Sequence, residues 1–156
     1  MKYFFLFFLL LTGACGFSPL YQTSTTDTVD LSVKVAPIPN QYGLGMRQVL
    51  ESKLGKSTEP IYLLSVSEPR FFQWDRTIDD KNFTTIMGIS GTVSYQLTQG
   101  NKTILSNTTS LTSSYSVVKD PYATTVAERK IKKELSELLA EQVSLHVLGI
   151  LSGVRD

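Results

Sequence analysis

From Phe83 to Leu97 the odd positions are Phe, Thr, Met, Ile, Gly, Val, Tyr and Leu, and the even positions are mainly Thr, Ser, Gly and Gln. Apolar residues at every second position predict a long strand with one dry face and one wet face. Gln99-Gly100-Asn101 is a turn signal, and Thr103 to Val118 returns with Leu105, Leu111, Tyr115 and Val117 among many Ser and Thr. Together they predict a long hairpin. Upstream, Leu31, Val33 and Val35 alternate with smaller or polar neighbours until Pro37 and Pro39, which predicts a short strand. Gln41 to Leu54 changes period: Leu44, Val49, Leu50 and Leu54 fall on one side of a helix, and Gly55 is a plausible stop. Ile61 to Val66 is apolar on both faces, a more buried strand that Glu68-Pro69 closes, which leaves Arg76 in a loop before the hairpin.

Asp120-Pro121 pairs a carboxylate cap with the helical position that tolerates proline. No proline follows, and Ile131, Leu135, Leu138, Leu139, Val143, Leu145 and Ile150 mark a broad apolar arc, so a long closing helix is expected. The only histidine, His146, lies within that arc and is expected to be a partly buried core residue. The order is β-α-β-β-β-α. Each helix has one apolar stripe and each long strand one apolar face, so both helices cover the same face of one sheet. The fold expected is a two-layer α+β sandwich, a mixed sheet of about four strands with two helices on one face.

The first thirty residues follow other rules. Lys2, then nine apolar residues from Tyr3 to Leu11, then Thr12-Gly13-Ala14 form the pattern of a secretory leader. Nine helical residues span only about 14 Å of a roughly 30 Å hydrocarbon core, too little for a stable span. The lone cysteine, Cys15, follows at once. Its residue type admits a buried core cysteine, half of an intermolecular disulfide, a free thiol, or the acceptor of a lipid. Gln22 to Asp30 is a polar tether. The organisation expected is a signal peptide over 1–14, a lipidated N-terminus and tether over 15–30, and one domain over 31–156.

Charge narrows the partners. The chain has 15 basic and 14 acidic residues, and loss of Lys2 with the leader makes the domain formally neutral. A bulk electrostatic grip on nucleic acid needs a strong positive excess. No metal-ligand spacing, nucleophile elbow, phosphate loop or Cys/His pair is present, so neither catalysis nor a cofactor is expected. Asp79-Asp80 are adjacent and are taken as solvated, and the three Asn-x-Thr sequons as products of a Ser/Thr-rich sequence.

The wet face of the hairpin is rich in hydroxyls and almost without charge, with Ser90, Thr92 and Ser94 on one strand and Ser110 and Thr112 on the other. Two accounts fit. One is a solvated β surface. The other is a surface that sits in another protein's polar cavity, where Lys or Glu would cost desolvation. Arg129, Lys130, Lys132 and Lys133 lie early in the closing helix, where cations oppose the macrodipole, and Lys130 to Glu134 and Lys133 to Glu137 run in the weaker order for an i,i+4 bridge. They are either a solvated face or contacts for an anionic ligand.

Thr12-Gly13-Ala14-Cys15 resembles the lipobox of bacterial lipoproteins, and Ala14-Cys15-Gly16-Phe17-Ser18-Pro19-Leu20-Tyr21 resembles the N-terminus of the LPS-assembly lipoprotein family LptE, in its alphaproteobacterial form. The element order is similar throughout. The resemblance implies lipidation at Cys15 and a lipid-anchored protein on the periplasmic side of the outer membrane, held in its inner leaflet. It further implies a non-catalytic plug that helps assemble the LptD β-barrel and contacts lipopolysaccharide on its way to the outer leaflet. By element and local spacing, the family's basic lipopolysaccharide-contacting positions match Arg76 and Lys133, with Lys130 beside them. A pilotin-like lipoprotein serving a different outer-membrane complex is the alternative.

Overall fold

The computed structural model describes residues 32–55, 57, 59–78 and 84–153. The expected leader and tether, Cys15, Leu31 of the expected first strand, Asp79-Asp80 and Phe83 lie outside the described residues. The elements are β1 (Val33–Val35), α1 (Asn40–Leu54), β2 (Tyr62–Val66), β3 (Arg70–Ile78), β4 (Thr84–Gln99), β5 (Lys102–Ser116) and α2 (Pro121–Gly153).

The architecture is the expected α+β sandwich, with both helices on one face of a mixed sheet. β1 pairs parallel to β2, and all other pairings are antiparallel. The sheet has five strands rather than about four, because 70–78 is a strand. Pro69 does end β2, yet the chain resumes on the same neighbour. The N–H of Ser67 donates to the carbonyl of Ser94 (2.8 Å), and the N–H of Ser94 donates to Ser67 Oγ (3.0 Å). β2 and β3 are thus two stretches of one broken strand along β4, which pairs with β2 over 95–99 and with β3 over 84–92. Its other side carries β5 along almost its whole length.

Burial follows the two-residue period where it was expected. Ile89, Val93, Tyr95 and Leu97 of β4 are buried, and Ser94 and Gln96 are exposed. β2 is half-buried instead of buried on both faces: Leu64 and Val66 enter the core, whereas Leu63 and Ile61 stay exposed because no described element covers that face.

The helices refine the expected stripes. α1 begins at Asn40, whose Oδ1 accepts hydrogen bonds from the N–H groups of Tyr42 and Gly43. It buries Met46, Leu50 and Leu54, at the i, i+4, i+8 spacing, and leaves Leu44 exposed. α2 starts as expected, with the Tyr122 N–H donating to Asp120 Oδ1 at 2.9 Å. At 33 residues it is about 50 Å long. A 16-residue β4 spans about 54 Å, so one helix can cover the hairpin.

Leu135, Leu139, Val143 and Val147 of α2 are buried, and so are the small residues Ser136, Ala140 and Ser144, which the helical period places toward α1. Both serines return their hydroxyl protons to their own helix, to the carbonyls of Lys132 and Glu141. Leu138, Leu145 and Ile150, expected in the core, are exposed. At 100° per residue Leu138 and Leu145 turn away from α1. His146 is also exposed as a residue, although its Nδ1 meets the hydroxyl of buried Tyr95 at 2.5 Å. Burial pushes the Tyr95 phenol up, even though a hydrogen bond with Asn107 lowers it in part.

Candidate binding face

The sheet face opposite the helices is built by register. Ser90 pairs with Thr112, Thr92 with Ser110, Ser94 with Thr108, and Gln96 with Ser106. Every pair places two uncharged polar side chains side by side. Ser94 Oγ and Thr108 Oγ1 are 2.9 Å apart, and the Gln96 amide donates to Thr103 Oγ1 at 2.8 Å. Thus Ser90, Thr92, Ser94, Ser110 and Thr112 share one contiguous face, as the alternation predicted.

β3 adds a border that the sequence reading missed. Arg70 pairs with Thr92, Phe72 with Ser90, and Trp74 with Gly88, so all three lie on the hydroxyl face. Phe72 and Trp74 stack at 6.1 Å with 20° between their planes, and they are 69% and 37% exposed. Gly88 is what admits the indole, since a Cβ there would lie 2.3 Å from the Trp74 ring. After a bulge between Asp75 and Thr77, Arg76 reaches back to donate to Ser114 Oγ at 3.3 Å. A period-two signal was present in Arg70-Phe71-Phe72-Gln73-Trp74-Asp75-Arg76, where cation, ring, ring and cation occupy the even positions. Pro69 masked it.

The basic residues of α2 are elsewhere. Arg129 and Lys133 line a shallow groove of about 240 Å³ against Gln41, Tyr42 and Gly45 of α1. Lys130 and Lys133 reach Glu134 and Glu137 at 3.7 and 3.9 Å, exposed pairs of little energetic weight. The sheet stands between these lysines and Arg76, so the three residues matched by resemblance do not converge on one site.

Beneath β3 a polar cluster ties the edge to α2. Lys132 pairs with Glu128 and lies 5.7 Å over the Phe71 ring, and Gln73 donates to the Tyr115 hydroxyl at 3.1 Å. The Lys132 hydrogen bond holds the Glu128 carboxyl below its usual range, against the opposing effect of burial. A depressed folded-state pKa contributes stability above the unfolded value, lost as pH falls through the folded one. Glu128→Gln is therefore expected to cost well under about 1 kcal/mol at neutral pH and to lose less stability than wild type below pH ~4. Denaturant titrations of both proteins across that range check it. Parallel acid profiles would mean that Glu128 carries no linkage.

Among the described residues no group of three His, Cys, Asp or Glu is placed to hold a metal, and no helix is long and apolar enough to cross a membrane.

No family model matches the chain, and no curated protein matches it in sequence. Its fold recurs in solved structures. Rare lipoprotein B from Shewanella oneidensis superposes with a TM-score of 0.68 at 8% identity, covering 80% of this chain and 98% of that one. A candidate lipoprotein from Caulobacter crescentus gives 0.60 at 17% identity, with 80% and 95% covered. Lipoprotein B from Nitrosomonas europaea gives 0.55 at 12%, with 72% and 78% covered. At these identities the likeness is one of fold.

Proposed function

We propose that the chain is a non-catalytic envelope lipoprotein of the LptE type. In this reading it is anchored through Cys15 in the inner leaflet of the outer membrane, and its hydroxyl face seats in the lumen of an LptD-type β-barrel whose assembly it assists. The observation that carries the reading is the uncharged field of paired Ser and Thr on a sheet face that no described element covers, in a fold shared with proteins described as lipoproteins. A face left to solvent tolerates Lys and Glu at no cost. A face enclosed by another protein does not, because each enclosed charge loses water. Contact with lipopolysaccharide falls to Arg76 and Arg70 beside the stacked rings, and separately to Lys130 and Lys133 on the helix layer.

The test is capture. Tagged wild-type protein extracted in mild detergent is expected to bring down an LptD-type barrel. Ser90→Lys with Ser94→Lys is expected to melt within a few degrees of wild type and to recover roughly tenfold less barrel, since about 1.4 kcal/mol of lost binding suffices for that factor. Equal recovery would remove the enclosed face from the model. A ring or secretion complex in place of the barrel would favour the pilotin-like alternative.

A further inference from the structure

The two long edges of the sheet are treated differently. The β3 edge carries Arg70, Asp75 and Arg76 and a bulge, the devices that keep an edge from pairing with another strand. The β5 edge has them only at its start, in Lys102 and one register shift. Between Lys102 and Ser116 there is no charge and no proline, and its one register shift lies at its start, opposite Leu97 and Thr98. Among the described residues β5 pairs with β4 alone.

Alternation identifies which backbone groups are left. The N–H and C=O of Ser94 point to the β2 side, where Ser67 bonds both. The pair Ser94–Thr108 is therefore a non-hydrogen-bonded pair, so the even residues of β5 aim their backbone outward. Asn107 Oδ1 accepts the Thr108 N–H. The outward backbone groups of Ser110, Thr112 and Ser114 have no bond to any described strand.

α2 lies above this edge. Leu139 reaches Gly91 of β4, and Gln142 accepts from Thr109 of β5 at 2.7 Å. On the flank away from α1, Leu138 and Leu145 are 51% and 66% exposed and one heptad apart.

We infer that a second copy of this chain pairs with the β5 edge, antiparallel about a two-fold axis near Ser110, to form a continuous sheet. Strands are ~4.8 Å apart, so helices centred over the β4 and β5 of each copy stand about 10 Å apart across the seam, the distance at which helices pack. The two-fold makes them antiparallel and sets Leu138 of one copy against Leu145 of the other. A neutral edge meets its own copy without like-charge repulsion. A closed barrel has no free edge to offer, and an unrelated strand would leave both leucines in water. The pairing concerns the free protein and does not depend on the barrel reading.

The test uses the full-length chain purified in mild detergent. Ser110→Cys is expected to form a covalent dimer on mild oxidation, and Lys34→Cys, on the far side of the sheet, is the collision control, which also reports any disulfide through Cys15. Leu138→Lys with Leu145→Lys leaves the helix intact, because Glu134 and Glu141 become favourable i,i+4 partners. In the Ser110→Cys background this pair is expected to abolish the dimer, and alone to halve the protein mass in density-matched sedimentation. Equal crosslinking of Ser110→Cys and Lys34→Cys, or an undiminished dimer in the lysine background, overturns the inference. An edge occupied by a segment of the same chain would give the first of these results.

Discussion

Cys15→Ser should release the protein from the membrane fraction or leave it there as an uncleaved precursor. The thiol follows Thr12-Gly13-Ala14 directly, at the place where a lipobox puts its acceptor. An acyl chain contributes about 0.8 kcal/mol per buried methylene, so a single chain of some sixteen carbons contributes roughly 12 kcal/mol before the costs of binding, and two or three hold a protein stably. A serine hydroxyl forms no thioether, so the whole anchor goes with one atom. Intact mass of the wild-type protein should show an N-terminal cysteine carrying acyl chains. A mature wild-type N-terminus without added lipid mass would return the protein to ordinary secretion and remove the anchor on which the proposed function depends.

The second large effect is in the core. Leu139→Ala should cost about 2–5 kcal/mol and lower the melting temperature by roughly 10 °C or more. Leu139 is fully buried, belongs to the main core cluster, and reaches Gly91 where the sheet passes beneath α2. The cavity has little freedom to collapse, because its floor is glycine backbone and the Phe71 ring. Leu145→Ala, six residues along the same helix, should shift stability by less than about 0.5 kcal/mol when the protein is dilute and monomeric. Comparable losses in the two variants would mean that the packing of α2 is wrong. A loss confined to Leu145→Ala at high concentration would instead measure the pairing of two copies.

Those two leucines mark how far the sequence could be followed. Both fit the 3.6-residue period, and on the sequence both belong to one apolar arc. The arc reports that α2 is covered on one side, and the width of the cover depends on where α1 lies. Ser136, Ala140 and Ser144 take the α1 side because they are small, which turns Leu138 and Leu145 outward. The same reasoning covers β3. A proline ordinarily ends a strand, and Pro69 did, but β4 is long enough to hold a second stretch beyond it and Ser67 carries the ladder across the gap. A residue 27 positions away decided that segment, and no local rule contains it.

By itself the sequence determined the properties that repeat along the chain: the period-two hairpin, the caps at Asp120 and Gly55, and the neutral hydroxyl face. These are local because side-chain direction and capping depend on neighbours within about four residues. Only the tertiary structure decided that Arg76 and Lys133 lie on opposite sides of the sheet, that Phe72 and Trp74 border the hydroxyls, and that β5 is the unguarded edge. Each of these depends on strand register and layer order, set by pairings between distant parts of the chain, and the spacing of residues along one strand carries no record of which strand lies beside it.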